Sequence, residues 1–298
     1  MEKKTKAQKI VKIILIICVI ALILSVTIFN FYSCTTNSGT YVDMTDANVL
    51  QVSELKVDNG GVSEGTGVAT TEGTESGTSS TETDNTEKEY IVNIPAGSPI
   101  AIIETSVGTL KARLYPEYAP KTVENFTRLA NGGYYNNTYI YRVQPQVYCA
   151  VGSENPDGST ENKYDVKNER VPIELSPSLW AFKGSLMAIE TYTDNNFFDV
   201  LLQRTKTYTG SQFIICGSVE FTDDFIAELK ETTLPDVVKE GFINLGGVPN
   251  YSQKLAVFAQ TYEGFDVLDK ILNVAVTDGE NLQPKEDIKI LNVTISTY

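Results

Sequence analysis

Between Asp58 and Glu89 the chain is built almost wholly of Gly, Ser, Thr and acid, with eight acids against one lysine and no apolar periodicity. Such a stretch cannot bury enough surface to offset the entropy lost on ordering it. From Val42 to Glu89 there is no aromatic residue either. The whole of residues 34–89 therefore reads as a disordered, self-repelling linker. A folded core must come from Tyr90–Tyr298, and the residues before Cys34 must serve a different purpose.

Those first residues carry Lys3, Lys4, Lys6, Lys9 and Lys12, followed by an apolar run from Ile13 to Phe29. With its flanks the run is about 20 residues, enough to cross a bilayer core at ~1.5 Å per residue. The lysines all precede it, which places the N-terminus in the cytoplasm and the rest of the chain outside. Residues 1–33 are expected to be an uncleaved single-pass anchor. Two alternatives stay open: a cleaved signal peptide, and a lipidated Cys34 after Ser33. Both leave residues 90–298 outside the cytoplasm.

Charge and residue inventory exclude several functions. A net charge of −14 argues against a nucleic-acid partner, since phosphate neutralisation needs clustered Lys and Arg. The chain has no histidine, which excludes Ser-His-Asp catalysis and His-based zinc sites. Cys18, Cys34, Cys149 and Cys216 show no CxxC spacing, so no metal site is expected.

The C-terminal region alternates short apolar runs with turn residues. Ala101–Thr105 and Thr109–Leu114 flank Ser106-Val107-Gly108 as a hairpin. A helix is predicted from Pro120, which suits the first helical position, to Asn131, with Val123, Phe126, Leu129 and Ala130 as its apolar stripe. Tyr139–Val143 reads as a strand with Ile140 and Arg142 on one face and Tyr139, Tyr141 and Val143 on the other. Phe213–Cys216, Leu255–Gln260 and Ile288–Ile295 read as further strands, and Gly264–Leu272 as a short helix. Many short strands with few helices predict a closed β-barrel.

Several strings occur in a familiar order: Ile103–Gly108; Ala119-Pro120-Lys121-Thr122-Val123-Glu124-Asn125-Phe126; Gly133-Tyr134-Tyr135 before Tyr141-Arg142-Val143; Gly184–Ala188; Gly210-Ser211-Gln212-Phe213; Gly246-Gly247-Val248-Pro249; and Glu263–Ile271. In this order they resemble the cyclophilin-type peptidyl-prolyl isomerases, of a membrane-anchored bacterial kind. The resemblance covers nearly all of residues 90–298. It implies an eight-stranded antiparallel barrel capped by two helices, no cofactor, and proline-containing segments of exported polypeptides as partners.

Carried across, the resemblance makes Arg142 the catalytic residue. It makes Val147, Tyr148, Ala150, Ala188, Gln212, Ile214 and Leu255 the substrate-binding set. Three of these depart from the family pattern: Ala150 stands where a glutamine steadies the arginine, Ile214 replaces a pocket phenylalanine, and Leu255 replaces a histidine. The prolyl pocket is therefore expected to be aliphatic rather than aromatic, with lowered activity or binding without turnover as the alternative. Cys149 and Cys216 are expected as buried thiols inside the barrel, with a disulfide between them as the alternative. Glu190–Thr209 and Phe221–Phe242 exceed the pattern. The first reads as a long loop; the second reads as a helical segment capped by Thr222, with Phe225, Ile226 and Leu229 on one face.

Overall fold

The structure, a computed structural model, describes residues 50–57, 90–159, 171–194 and 206–298. The expected anchor over residues 1–33 lies outside the described residues, as does the linker apart from 50–57. No helix among the described residues is long and apolar enough to cross a membrane.

Eight antiparallel strands close into a barrel. They are β3 (Pro99–Thr105), β4 (Gly108–Leu114), β5 (Tyr139–Gln144), β6 (Tyr148–Ser153), β8 (Ser185–Asp194), β9 (Lys206–Cys216), β10 (Ala256–Glu263) and β11 (Ile288–Thr297). The order around the ring is β6-β5-β11-β3-β4-β10-β8-β9, and β9 pairs back onto β6. A two-residue strand, β7 (Val171–Pro172), adds to β9 outside the ring. Closure removes the free edges that an open sheet of this size would leave.

The barrel interior is filled by side chains, as expected of a small barrel. One inner row runs Val143–Cys149–Ile215–Leu186–Ala259 through direct cross-strand pairs. Aromatic rings knit the next layer: Phe126 lies 5.3 Å from Tyr135, 5.6 Å from Phe213 and 5.2 Å from Phe258 between ring centroids.

Two helices plug the barrel. Helix α2 (Pro120–Asn131) buries Val123, Phe126, Leu129 and Ala130, the stripe read from the sequence. Helix α5 (Phe265–Leu272) buries Val267, Leu268, Ile271 and Leu272. Gly108, at the start of β4, lies so close beneath Val267 that a Cβ would come within 2.5 Å of it, and its φ of 144° also favours glycine. Helix α2 follows the far end of β4, so the two helices cap opposite ends.

The structure corrects four expectations. The strand at Tyr139 does not alternate simply: Ile140 pairs with Val151 but Arg142 with Ala150, so Tyr141 is an extra, bulged residue. Ile140 and Val143 consequently both face the core. Glu190–Thr209 is not merely a loop, because β8 and β9 continue into it with Glu190 opposite Thr209 and Asp194 opposite Lys206. The segment after Phe221 forms two helices, α3 (Asp223–Glu231), capped by Thr222 as expected, and α4 (Asp236–Leu245).

The fourth correction concerns the linker. Leu50–Glu54 forms a short helix, α1, and Leu55–Val57 a strand, β1, which pairs antiparallel with β2 (Tyr90–Val92). Gln51, Glu54 and Leu55 are all buried. Composition hid this strap, because its few apolar residues act only once the barrel supplies a surface for them. The folded domain therefore includes residues on both sides of the Gly/Ser/Thr/acid stretch.

Candidate active site

Cross-strand register assembles the site. Arg142 on β5 pairs with Ala150 on β6, Ala150 with Ile214 on β9, Ile214 with Met187 on β8, and Met187 with Val257 on β10. Residues directly opposite one another share a face. This row therefore crosses the outside of the barrel, back to back with the core. Ala150, Ile214, Met187 and Val257 pack into one apolar cluster with Leu179, Ala181 and Val248, and Val147, Tyr148, Tyr141, Tyr251 and Leu255 lie partly buried against it.

Arg142 is half-buried at one end of this row. Its Nε is buried and has no hydrogen-bond partner among the described residues. A buried, unpaired donor is costly unless something else completes it. The residue opposite, Ala150, has no polar side-chain atom to offer. Burial raises the Tyr251 phenol above its ordinary value, while the positive charge of Arg142 pulls it the other way. Burial likewise pushes the Tyr141 phenol up to about 12, again opposed by Arg142. Both phenols are neutral near pH 7 beside the guanidinium.

Tyr148 and Tyr251 meet edge to face at 6.1 Å between ring centroids, a favourable aromatic geometry. Tyr251 ends a 3-10 turn, Pro249–Tyr251, that follows Gly246 and Gly247. A Cβ on Gly247 would come within 2.3 Å of the Ala181 carbonyl oxygen. That close approach is why the Gly-Gly-Val-Pro string can lay this turn against the barrel.

The residues named from the sequence are mostly brought together. Arg142, Val147, Tyr148, Ala150, Ile214 and Leu255 border or line the same outer cluster. Ala188 does not join them: it packs in the interior cluster, paired with Phe213 and Ala256. Strand alternation turns Met187 toward the outer cluster and Ala188 inward, and Met187 is itself fully buried there. Gln212 is present, but its Nε2 donates to the Gly158 carbonyl at 2.9 Å and its Oε1 accepts from the Tyr141 hydroxyl at 3.3 Å. It thus braces the loop at Gly158, keeping one N–H and one lone pair free. Tyr251 was missed, because nothing around it in the sequence marks a turn residue as part of a cleft.

The cysteines resolve cleanly. Cys149 faces the interior and Cys216 the outer cluster, and both are free. Only Cys149 lies inside the barrel. Burial pushes the Cys149 thiol up to about 12 and the Cys216 thiol well above its usual range. Both are protonated, poor nucleophiles near neutral pH. Among the described residues no group of three or more His, Cys, Asp or Glu side chains is arranged to hold a metal.

A partly exposed apolar rim of Val147, Tyr148, Tyr251 and Leu255 with a guanidinium at one end suits a neutral, ring-bearing peptide unit. Residues 100–295 match the family model described as cyclophilin type peptidyl-prolyl cis-trans isomerase/CLD. The chain belongs to the cyclophilin-type peptidyl-prolyl cis-trans isomerases. A Staphylococcus saprophyticus protein provisionally named a peptidyl-prolyl cis-trans isomerase is 29% identical over 194 residues, spanning 65% of this chain and 90% of that one. A Streptococcus pyogenes protein, provisionally named a bifunctional phosphatase/peptidyl-prolyl cis-trans isomerase, is 28% identical over 201 residues, 66% of this chain and 38% of its own length. A Cryptosporidium parvum cyclophilin crystal structure aligns with TM-score 0.49 and 19% identity, over 68% of this chain and 99% of that one.

A cyclophilin-type isomerase needs no cofactor and no proton transfer. The X–Pro bond resists rotation because amide resonance must be broken, a barrier of ~18–20 kcal/mol. Any group that binds the twisted amide better than the planar one lowers that barrier. In this cyclophilin domain the apolar rim of the outer cluster can pack on a prolyl ring, and the Arg142 guanidinium can donate to an amide as conjugation is lost.

Proposed function

We propose that this isomerase works outside the cytoplasmic membrane on exported or surface polypeptides, with lowered turnover. The observation that supports catalysis is the Arg142 guanidinium, whose buried Nε lacks a partner among the described residues at the end of the outer apolar cluster. A peptide amide is the neutral, polar group that would complete it. The support for location is the lysine-rich start and apolar run before residue 34. Extruded chains fold slowly where prolyl bonds must isomerise, so an outward-facing foldase has work to do.

A protease-free cis-to-trans assay on Xaa-Pro peptides tests the reaction. Arg142→Ala is expected to lower kcat/KM by roughly 30- to 1000-fold, as for loss of a charge-assisted bond at a preorganised site, with folding intact. Arg142→Lys should recover only part, because an ammonium lacks the planar fork. Turnover unchanged in Arg142→Ala would remove Arg142 from the mechanism.

The second reading is a peptide-binding module with little turnover, and the observation favouring it is Ala150. With no side-chain acceptor opposite, the guanidinium is aimed less firmly than a steadied one. Saturable binding of prolyl peptides without isomerisation would select this reading.

Topology is tested separately in intact cells. A membrane-impermeant thiol reagent is expected to label Cys34, because Cys149 and Cys216 are buried. A chain labelled only after lysis would contradict the outward orientation.

A further inference from the structure

The strap at residues 50–57 does more than fill a surface. Gln51 is fully buried. Its Oε1 accepts from the Trp180 backbone N–H at 2.7 Å, and its Nε2 lies 3.0 Å from the Trp180 carbonyl oxygen. The same Nε2 is within 2.7 Å of Gln260 Oε1 and 3.0 Å of Ser185 Oγ. One side chain thus grips both backbone groups of Trp180 and ties them to two barrel strands, β8 and β10.

Trp180 sits between two residues of the cleft cluster, Leu179 and Ala181. Its neighbour Ala181 donates its N–H to Ser252 Oγ at 3.2 Å and accepts from the Val248 N–H at 2.9 Å. Val248 and Ser252 bracket the turn Pro249–Tyr251, whose Tyr251 packs on Tyr148. Gln253 adds a bond from its Nε2 to the Ser176 carbonyl at 2.8 Å. Hydrogen bonds and one backbone step therefore join the strap to the turn beside the outer cluster, buried at Gln51 and Trp180 and part-buried at Ser252 and Gln253.

We propose that Gln51 is a positioning residue for the prolyl-peptide cleft. It sets the backbone at Trp180, and through Ala181, Val248 and Ser252 it sets the turn that carries Tyr251. The strap is then part of the working isomerase although the Gly/Ser/Thr/acid stretch separates it from the barrel in sequence. The inference rests on the proposed peptide-binding role of the cleft.

Gln51→Ala in the full-length chain tests it, at a temperature where both proteins are fully folded. Coupling through such networks typically changes binding by roughly 2- to 30-fold. KM for an Ala-Pro-containing peptide should rise within that range, with kcat changed less. Amide exchange should quicken at Ala181 and Val248 but not at Ile103 or Ile290 in the core. Emission of Trp180, the single tryptophan, should move to longer wavelength.

Gln51→Glu keeps the acceptor for the Trp180 N–H but turns the other side-chain atom into a buried carboxylate oxygen facing the Trp180 carbonyl and Gln260 Oε1, so it should raise KM at least as far as Gln51→Ala. Should Gln51→Ala not fold, Ser252→Ala cuts the same path near the cleft and should raise KM likewise. A lower Tm with unchanged KM and unchanged exchange at Ala181 and Val248 would overturn the proposal, leaving the strap as a stabiliser only. A wild type that neither turns over nor binds prolyl peptides would instead sink the proposed function. Amide exchange would then still decide whether Gln51 positions Trp180.

Discussion

At the scale of single residues, the site is decided by what faces Arg142. The bulge at Tyr141 puts Arg142 opposite Ala150, and a methyl group cannot accept from a guanidinium. Ala150→Gln would place an acceptor beside the unpartnered Nε. One recovered hydrogen bond contributes about 0.5–1.5 kcal/mol, so kcat should rise by roughly two- to tenfold. A lower Tm is expected alongside it, because Ala150 is buried and the larger side chain crowds Ile214. If kcat falls while the fold persists, the missing acceptor is not what limits the enzyme. Arg142, Ala150, Ile214 and Leu255 could be picked out by motif, since each has a fixed place in a recognisable string. The cluster in which Ala188 packs could not be read from its string, because neighbouring strand positions face opposite sides of the sheet.

Among the elements, helix α2 shows how a local pattern is finished from afar. Pro120 starts it, yet Ala119 offers no side-chain cap. The carboxylate of Glu174, more than fifty residues on, accepts from the Thr122 N–H at 2.8 Å, the Lys121 N–H at 3.2 Å and the Thr122 hydroxyl at 2.8 Å. A carboxylate there also meets the positive end of the helix dipole. Glu174→Ala should therefore cost about 0.5–2 kcal/mol, read as a lower Tm, with kcat/KM within about twofold of wild type. A loss of activity without a stability change would mean that Glu174 serves the cleft instead. The start and end of α2 were legible in sequence; its cap was not, because capping needs only proximity in space.

Taken whole, the molecule is built to be indifferent to moderate pH. It has no histidine, and burial raises the nearby titrating groups: Tyr141 and Cys149 each to about 12, and Tyr262 on the far side of the barrel to about 12. Because these groups hold their protons more tightly folded than unfolded, their contribution to stability is complete below the ordinary phenol and thiol values. It falls as pH rises toward the folded values. Activity should then be flat from about pH 6 to about pH 9, with alkaline unfolding setting in from about pH 10. A bell-shaped rate profile centred near neutrality would reveal a titrating group in the reaction and contradict the proton-free mechanism.

The sequence alone, through its strings and their resemblance to the family, determined the closed eight-stranded barrel and its two plugging helices, and it singled out Arg142 as the candidate arginine. These depend on local alternation, on helix stops and starts, and on strings whose spacing is rigid. Only the tertiary structure decided which face of each strand looks outward, that Met187 rather than Ala188 packs in the outer cluster, and that Tyr251 joins Tyr148. It alone recovered Leu50–Val57 from what composition marks as linker. That strap has neither the length nor the apolar content to order itself. Gln51 becomes structural only when Trp180, Ser185 and Gln260, all more than a hundred residues away, hold their backbone and side-chain partners in one place. Burial among distant groups is a property of the assembled barrel, and no window of sequence contains it.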